Sequence, residues 1–142
     1  MIKPEDLQLY DYVSVNDNIE KVLSISEDFI DTEIYLELIP EEVNPIYLTD
    51  EFLQKNGFER YFTYKISWFD EESTRDINKI PINAECVKVH WRKLAAELWK
   101  YAKNEANRLR FMWNEDNTPH TVQYVHELQH LMRLYNNSTL II

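Results

Sequence analysis

Three residues near the end of the chain, His126, Glu127 and His130, have the types and the spacing of a zinc hydrolase motif. Two histidines four positions apart on a helix share one face and can bind one Zn²⁺ ion, while the glutamate activates a water molecule on the metal. Catalytic zinc also needs a third protein ligand. The twelve residues that follow His130 contain no His, Asp, Glu or Cys, so a third ligand would have to come from earlier in the chain.

The candidates for that third ligand are Glu105, His90 and His120. On a helical wheel, Leu128 and Met132 mark the apolar side of the segment, and His126 and His130 lie away from that side. This placement is typical of polar residues on an ordinary amphipathic helix. We therefore predict no catalytic residue, no metal and no cofactor. The alternative is a zinc hydrolase in which Glu127 is the general base.

A second group of charged residues forms a basic stripe, defined as Lys88, Arg92, Lys93, Lys100, Lys103 and Arg110. Residues 84–113 hold 7 Lys and Arg against 3 Asp and Glu. At 100° per residue, apolar side chains of this segment share one helical face and the stripe lies on the adjacent face. The pattern predicts a long amphipathic helix with a partner-binding stripe. Residues 87–91 also alternate, which leaves open a strand that leads into a shorter helix.

The remaining elements are predicted from periodicity and punctuation. Alternating apolar residues predict strands near 10–15, 19–26, 29–39 and 59–69, and the turn Asn16-Asp17-Asn18 tolerates positive φ. Thr49 is a suitable N-cap and Gly57 a suitable C-terminal residue, which predicts a short helix over 49–56. A last helix is predicted over 119–135.

These elements predict an α+β fold. We expect an N-terminal antiparallel sheet or small barrel, the short helix, and then a C-terminal helical hairpin made of about 84–113 and 119–135. The 142 residues suit one domain, in which residues 1–83 are acidic and mainly β and residues 84–142 are helical.

Composition narrows the class of protein. The formal net charge is −10, which argues against nucleic-acid binding by the whole chain, although the basic stripe could bind it. Residues 1–83 hold 7 Lys and Arg against 19 Asp and Glu, so the chain is polarised. Cys86 is the only cysteine, and neither a signal peptide nor an apolar run of about 20 residues is present. We expect a cytoplasmic protein without a membrane partner.

Four segments, found in this order, carry a further signal: 7–13 (LQLYDYV), 20–25 (EKVLSI), 44–58 (NPIYLTDEFLQKNGF) and 124–131 (YVHELQHL). Together they resemble a family of small phage and mobile-element proteins of gut bacteria. Its members open with a Leu-Arg-Ile-Gly-Asn-like strand, carry a Pro-Ile-Pro-Leu-Thr-Glu-Glu-like helix start and close with a Tyr-Val-His-Gln-Leu-Gln-Asn-like helix. Here Tyr10 stands where glycine is usual and Tyr47 where proline is usual.

The resemblance implies no activity, because the family has none established. It also implies that Glu127 and His130 occupy positions where relatives carry Gln and Asn, neither of which can do zincin chemistry. We therefore expect a non-enzymatic interaction protein that binds a macromolecular partner, most readily a protein, or itself as a homo-oligomer. A zinc hydrolase and an acidic nucleic-acid mimic are the alternatives.

Overall fold

The computed structural model describes residues 2–103, 108–114, 116–136 and 139–142. The chain forms two compact units: unit 1 is Met1–Leu48 together with Gln123–Ile142, and unit 2 is Thr49–Val122. The net charge is divided unequally between them. Unit 1 holds 3 Lys and Arg against 13 Asp and Glu, whereas unit 2 holds 12 of each. All of the net charge of −10 therefore belongs to unit 1.

Unit 1 contains a three-stranded antiparallel sheet in the order β1-β2-β3, made of β1 (Tyr12–Val15), β2 (Asn18–Ile25) and β3 (Ile30–Thr32). Asn16 and Asp17 make the β1–β2 turn with φ of 50° and 65°, which these residue types tolerate. The predicted antiparallel strands are present. The third strand, predicted over 29–39, is shorter in the structure. An isolated bridge joins its first residue, Ile30, to Leu38, which lies beyond the end of the strand.

Helix α2 (Val125–Asn136) completes unit 1 and packs against β1. Its buried apolar side chains are Val125, Leu128 and Met132. The prediction of a helix over 119–135 is wrong at its start, because residues 116–122 belong to a strand. The strand and the helix are separated by Gln123 and Tyr124, whose N–H groups are bonded by Glu127.

Unit 2 begins with helix α1 (Asp50–Lys55), and both predicted punctuation signals are confirmed. Thr49 caps the helix, since its side-chain oxygen accepts from the N–H of Phe52 at 3.1 Å. Gly57 follows the C-cap with φ of 86°, a conformation that side chains rarely adopt. Short 3₁₀ turns lie elsewhere, at Pro4–Asp6 and Pro40–Glu42 in unit 1 and at Ile77–Lys79 in unit 2.

The rest of unit 2 is a six-stranded antiparallel sheet in the order β5-β4-β6-β7-β8-β9. The strands are β4 (Glu59–Ser67), β5 (Asp70–Thr74), β6 (Glu85–Lys93), β7 (Ala96–Tyr101), β8 (Leu109–Trp113) and β9 (Asp116–Val122). The predicted strand near 59–69 is β4, and it pairs in this sheet. The chain is thus α+β, with more sheet than the sequence predicts. Of the described helices, none has the length and apolarity to cross a bilayer.

The long helix predicted over 84–113 is wrong, and with it the C-terminal helical hairpin. This segment supplies β6, β7 and β8. The alternation at 87–91 decides the outcome, because β-branched and aromatic side chains suit a pleated sheet. Leu94, expected on the buried helical face, lies in the β6–β7 turn with φ of 53° and is 83% exposed. The apparent helical period arises because the apolar residues of three successive strands happen to recur at helical spacing.

The register of the sheet separates two faces. Cross-strand pairs place Phe62, Trp91, Leu98 and Phe111 on one face, where all four are buried. The opposite face carries the pairs Tyr61–His90–Trp99 and Lys88–Tyr101, together with Arg110. The first face contributes these four side chains to the core of unit 2, and we call the second the charged face.

Candidate functional site

The three residues of the zinc-like motif all lie in α2, and Glu127 has a structural partner there. Its Oε1 atom accepts from the backbone N–H groups of Gln123 and Tyr124, each at 3.0 Å. A glutamate at the third position of a helix that reaches back to the first N–H groups is half of a capping box. The carboxylate therefore fixes the start of α2.

His130 belongs to a charged network centred on Asp11, a carboxylate with no exposed surface. Asp11 Oδ2 is 2.6 Å from His130 Nε2, and Asp11 Oδ1 accepts from Arg133 Nη1 at 2.6 Å. The N–H of Gln8 also donates to Asp11 at 2.8 Å. A buried carboxylate is tolerated only when it is paired and hydrogen-bonded, and Asp11 satisfies both conditions.

Gln129 attaches α2 to the backbone beside β1. Its Oε1 atom accepts from the N–H of Tyr12 at 2.8 Å, and its Nε2 atom donates to the carbonyl of Tyr10 at 3.2 Å. The amide thus pairs with main-chain groups as a neighbouring strand would. The Gln129 side chain is buried, so its own amide depends on these two main-chain partners.

His126 is 5% exposed, and its Nδ1 atom has no hydrogen-bond partner in the described part of the chain. Burial lowers the pKa of His126 below its ordinary value of 6.5, and this outweighs the opposing attraction of Asp11 and Glu127. The ring stacks on Tyr124 at 5.8 Å between centroids. His126 is therefore a neutral, packed side chain at pH 7.

A cleft of about 520 Å³ opens beside the motif within unit 1. The polar residues that line it include Glu5, Asp6, Glu127, His126 and His130. Among the described residues, no three His, Cys, Asp or Glu side chains are grouped so as to hold a metal ion. Of the candidate third ligands, His90 and His120 belong to unit 2, in β6 and β9, and Glu105 lies outside the described residues.

The basic stripe is divided by the sheet. Lys88, Arg92 and Arg110 lie on the charged face, whereas Lys93 and Lys100 fall on the opposite face by register. Lys93 donates to the carbonyl of Asn56 at 2.6 Å. Lys103 follows β7 and pairs with Glu85 at 2.8 Å. Half of the predicted stripe thus shares a surface.

That surface also carries aromatic rings, and we call it the ring-and-cation face: Tyr61, Trp99 and Tyr101 with Arg75, Lys88, Arg92 and Arg110. Every one of these cations lies over a ring. Arg75 and Arg92 lie 5.2 and 5.3 Å from the centroid of Tyr61, and Lys88 and Arg110 lie 4.8 and 5.3 Å from that of Trp99. Lys88 is also 5.7 Å from the ring of Tyr101. Cation–π contacts of this kind hold charge and ring together.

A polar network lies among the side chains of the ring-and-cation face. Thr63 Oγ1 is 2.9 Å from Ser73 Oγ and 2.7 Å from His90 Nε2. His90 Nδ1 is 2.8 Å from Glu97 Oε1, and Arg92 pairs with the other oxygen of Glu97 at 3.4 Å. The network joins four neighbouring strands, β5, β4, β6 and β7. It therefore helps to fix the spacing of the aromatic and cationic side chains on the same face.

The order hydroxyl, imidazole, carboxylate in Thr63, His90 and Glu97 is that of a hydrolase triad. However, Thr63 and His90 are each only 7% exposed. Thr63 also lies within a strand that is paired on both sides, so the surrounding N–H groups serve the sheet rather than a developing oxyanion. The geometry therefore suits a rigid support better than a nucleophile.

Cys86 is half-buried in β6, and desolvation raises the pKa of its thiol above the ordinary value of 9.0. A thiol with a raised pKa is a poor nucleophile at neutral pH. Both ring nitrogens of His90, the nearest histidine in sequence, are bonded to Thr63 and Glu97. Cys86 is therefore a packed residue of the sheet.

Sequence reasoning does not single out Asp11, Gln129 or the three rings of the charged face. For Asp11 and Gln129 no local signal exists, because their partners lie more than a hundred positions away. For the rings a signal does exist. The alternation Lys88, His90, Arg92 on one strand and Glu97, Trp99, Tyr101 on the next predicts one polar, aromatic face once both segments are taken as strands.

No protein-family model, no curated protein and no solved structure matches the chain in comparisons with known proteins.

Proposed function

We propose that this protein is a non-enzymatic interaction protein, which binds a macromolecular partner or a second copy of itself through the ring-and-cation face. The observation that carries the proposal is the surface itself. Three aromatic rings and four cations share one face of the sheet in unit 2. Aromatic residues and arginine are enriched in binding surfaces because they bury a large area and also form polar contacts.

The local contacts of the motif support binding over catalysis. Glu127 caps α2 and His130 pairs with Asp11, so each has a structural role in unit 1. The Thr63–His90–Glu97 network is buried in a paired region of the sheet. Each arrangement that resembles an active site is thus accounted for by packing.

Affinity capture with a charge-reversed variant tests the proposal. The variant carries Lys88→Glu, Arg92→Glu and Arg110→Glu, and its matched control carries Lys3→Glu, Lys55→Glu and Lys79→Glu at exposed positions outside the face. We expect the wild type and the control to retain the same captured material and the variant to lose it. Light scattering of each protein at low and high salt measures self-association in parallel, which the variant should also lose if the partner is a second copy. Equal behaviour of the variant and the control in both assays would contradict the proposal.

An acidic nucleic-acid mimic is a second candidate, and the charge of unit 1 favours it. Its 13 acids against 3 bases contrast with the neutral balance of unit 2. Apart from Asp11 and Glu20, few of these acids are buried. Neutralising exposed acids, for example Glu27→Gln, Asp28→Asn and Glu33→Gln, should then abolish capture of a DNA-binding protein while the ring-and-cation variant retains it.

We also propose an origin in phages or mobile elements and a reducing, cytoplasmic setting. The four resembling segments support the first, and the single cysteine supports the second. Tyr10 adds support, because it has φ of 69° at the position where the resembled family has glycine.

A further inference from the structure

We infer that the occupant of the ring-and-cation face is single-stranded nucleic acid. This inference rests on the proposed function and names its partner. Proteins bind single strands by pairing aromatic rings, on which bases stack, with cations that neutralise the adjacent phosphates. An open sheet face with such rings is a common platform for this purpose.

One ring of the face, Tyr101, is exposed, and the other two, Tyr61 and Trp99, are half-buried. Tyr101 is 51% exposed, and Trp99 meets it edge to face at 5.2 Å between centroids. Tyr61 lies on β4, two strands away from Trp99, with His90 between them in register. Neighbouring strands are about 4.8 Å apart, so Tyr61 and Trp99 are separated by about 10 Å across the sheet. The face therefore offers two stacking positions rather than one continuous apolar patch.

The charges of the face complement a phosphate backbone. Arg75 and Arg92 are balanced by Glu59 at 3.0 Å and Glu97 at 3.4 Å. In the described part of the chain, the side chains of Lys88 and Arg110 form no ion pair, and both lie over the ring of Trp99. Two cations beside the rings are thus left for an anionic ligand. A single strand can use both features, because its bases stack on rings while its phosphates meet the cations.

Unit 2 is also the part of the chain that can accept a polyanion. It is neutral overall, with 12 Lys and Arg against 12 Asp and Glu. Two free cations can neutralise only a few phosphates, so we expect a short binding site and moderate affinity. For Z neutralised phosphates on a single strand, the logarithm of the affinity falls with the logarithm of the salt concentration with a slope of about −0.7Z.

The test is fluorescence anisotropy of the full chain with dye-labelled oligodeoxythymidylate and oligouridylate, which distinguish DNA from RNA. A duplex of the same length and a polyglutamate peptide serve as alternative probes. We expect binding to a single strand with a salt slope of about −1 to −2. Tyr101→Ala should weaken binding about tenfold, whereas Tyr101→Phe, which keeps the ring, should bind with the affinity of the wild type.

Two further variants separate charge from folding. Lys88→Gln should reduce the salt slope by about 0.7, whereas Lys79→Gln, which removes the same charge at an exposed position outside the face, should change nothing. Because Tyr101 is half-exposed, its variants should melt at the wild-type temperature, and that measurement confirms folding. Equal affinity for duplex and single strand, or an unchanged affinity in Tyr101→Ala, would overturn the inference.

The outcomes also distinguish this inference from the proposed function. Binding to polyglutamate alone, lost in Lys88→Gln, would overturn the nucleic-acid assignment and leave a binding role for the face intact. Failure of every probe would overturn the assignment too, and the charge-reversal capture experiment would then decide the proposed function by itself.

Discussion

Single residues in this protein hold unusual positions, and Tyr10 is the clearest example. Its φ of 69° lies in the left-handed region, where a side chain costs about 1 kcal/mol. The Tyr10 ring is largely exposed, so little packing is lost without it. We expect Tyr10→Gly to raise the free energy of unfolding by about 0.5 to 1 kcal/mol in urea titrations. Tyr10→Ala, which keeps Cβ, should give no gain; a gain of equal size there would contradict the conformational explanation.

His126 predicts how unit 1 responds to acid. The unfolded chain binds a proton near pH 6.5, but burial lowers the pKa of the folded residue, so below that pH the unfolded state holds more protons. Stability should be unaffected by this residue above about pH 6.5 and fall as the pH drops below it. Melting temperatures measured from about pH 7 to pH 5 should decline less steeply in His126→Gln than in the wild type. Parallel curves would exclude His126 as a source of the decline.

Asp11 should be the most sensitive of the buried polar residues. Asp11→Asn keeps the shape but removes the charge that pairs with His130 and Arg133. Both partners remain partly exposed, which moderates the loss, so we expect a cost of about 2 to 3 kcal/mol in chemical denaturation. Asp28→Asn, at an exposed position, should stay within about 0.5 kcal/mol of the wild type.

At the scale of elements, local signals succeeded where the chain is punctuated by capping and turn residues. Thr49 and Gly57 bracket α1, and Asn16 with Asp17 turns the first hairpin. These features depend on neighbours within four positions. The prediction for 84–113 failed because neither sequence between its three strands contains glycine or proline. Leu94 occupies a left-handed position that no turn-forming residue type marks. When a turn contains residue types that are unusual in turns, the strands on either side of it can be mistaken for one continuous helix.

The candidate sites follow the same division. Part of the ring-and-cation face was predicted, since Lys88, Arg92 and Arg110 were expected to share a surface and do share one. Lys93 and Lys100 were grouped with them because the helical period was wrong. The network around Asp11 could not be predicted at all. Its partners meet only when the two ends of the chain come together, and no local pattern encodes that meeting.

The attachment of α2 to β1 gives a prediction at this scale. Gln129→Leu leaves the N–H of Tyr12 and the carbonyl of Tyr10 buried without their partner. We expect a loss of about 1 to 3 kcal/mol and faster hydrogen exchange at the Tyr12 amide. Gln54→Leu, on an exposed position of α1, is the matched control and should leave both measurements unchanged.

At the scale of the whole molecule, the concentration of charge in unit 1 should oppose folding. Thirteen acids against three bases repel one another in the compact state. Sodium chloride screens this repulsion, and the Debye length falls to about 3 Å at 1 M. We therefore expect the melting temperature to rise with salt up to about 0.5 M. A fall over this range would mean that attractive surface pairs outweigh the repulsion. The same melting curves test the predicted single domain. One transition would mean that the two units unfold together, and two transitions would mean that they unfold separately.

Unit 1 is built from both ends of the chain, and unit 2 is an insertion between them. The points of exit and return are adjacent, because the N–H of Leu48 donates to the carbonyl of Gln123 at 3.1 Å and that of Val125 donates to the carbonyl of Ile46 at 2.8 Å. During synthesis, residues 1–48 therefore cannot complete unit 1 until α2 has been made and can pack against β1. Contacts of such long sequence separation form slowly, so unit 2 has the opportunity to fold on the ribosome first. We expect the exposed acids of this segment to oppose its aggregation during that interval, because like charges repel and favour solubility.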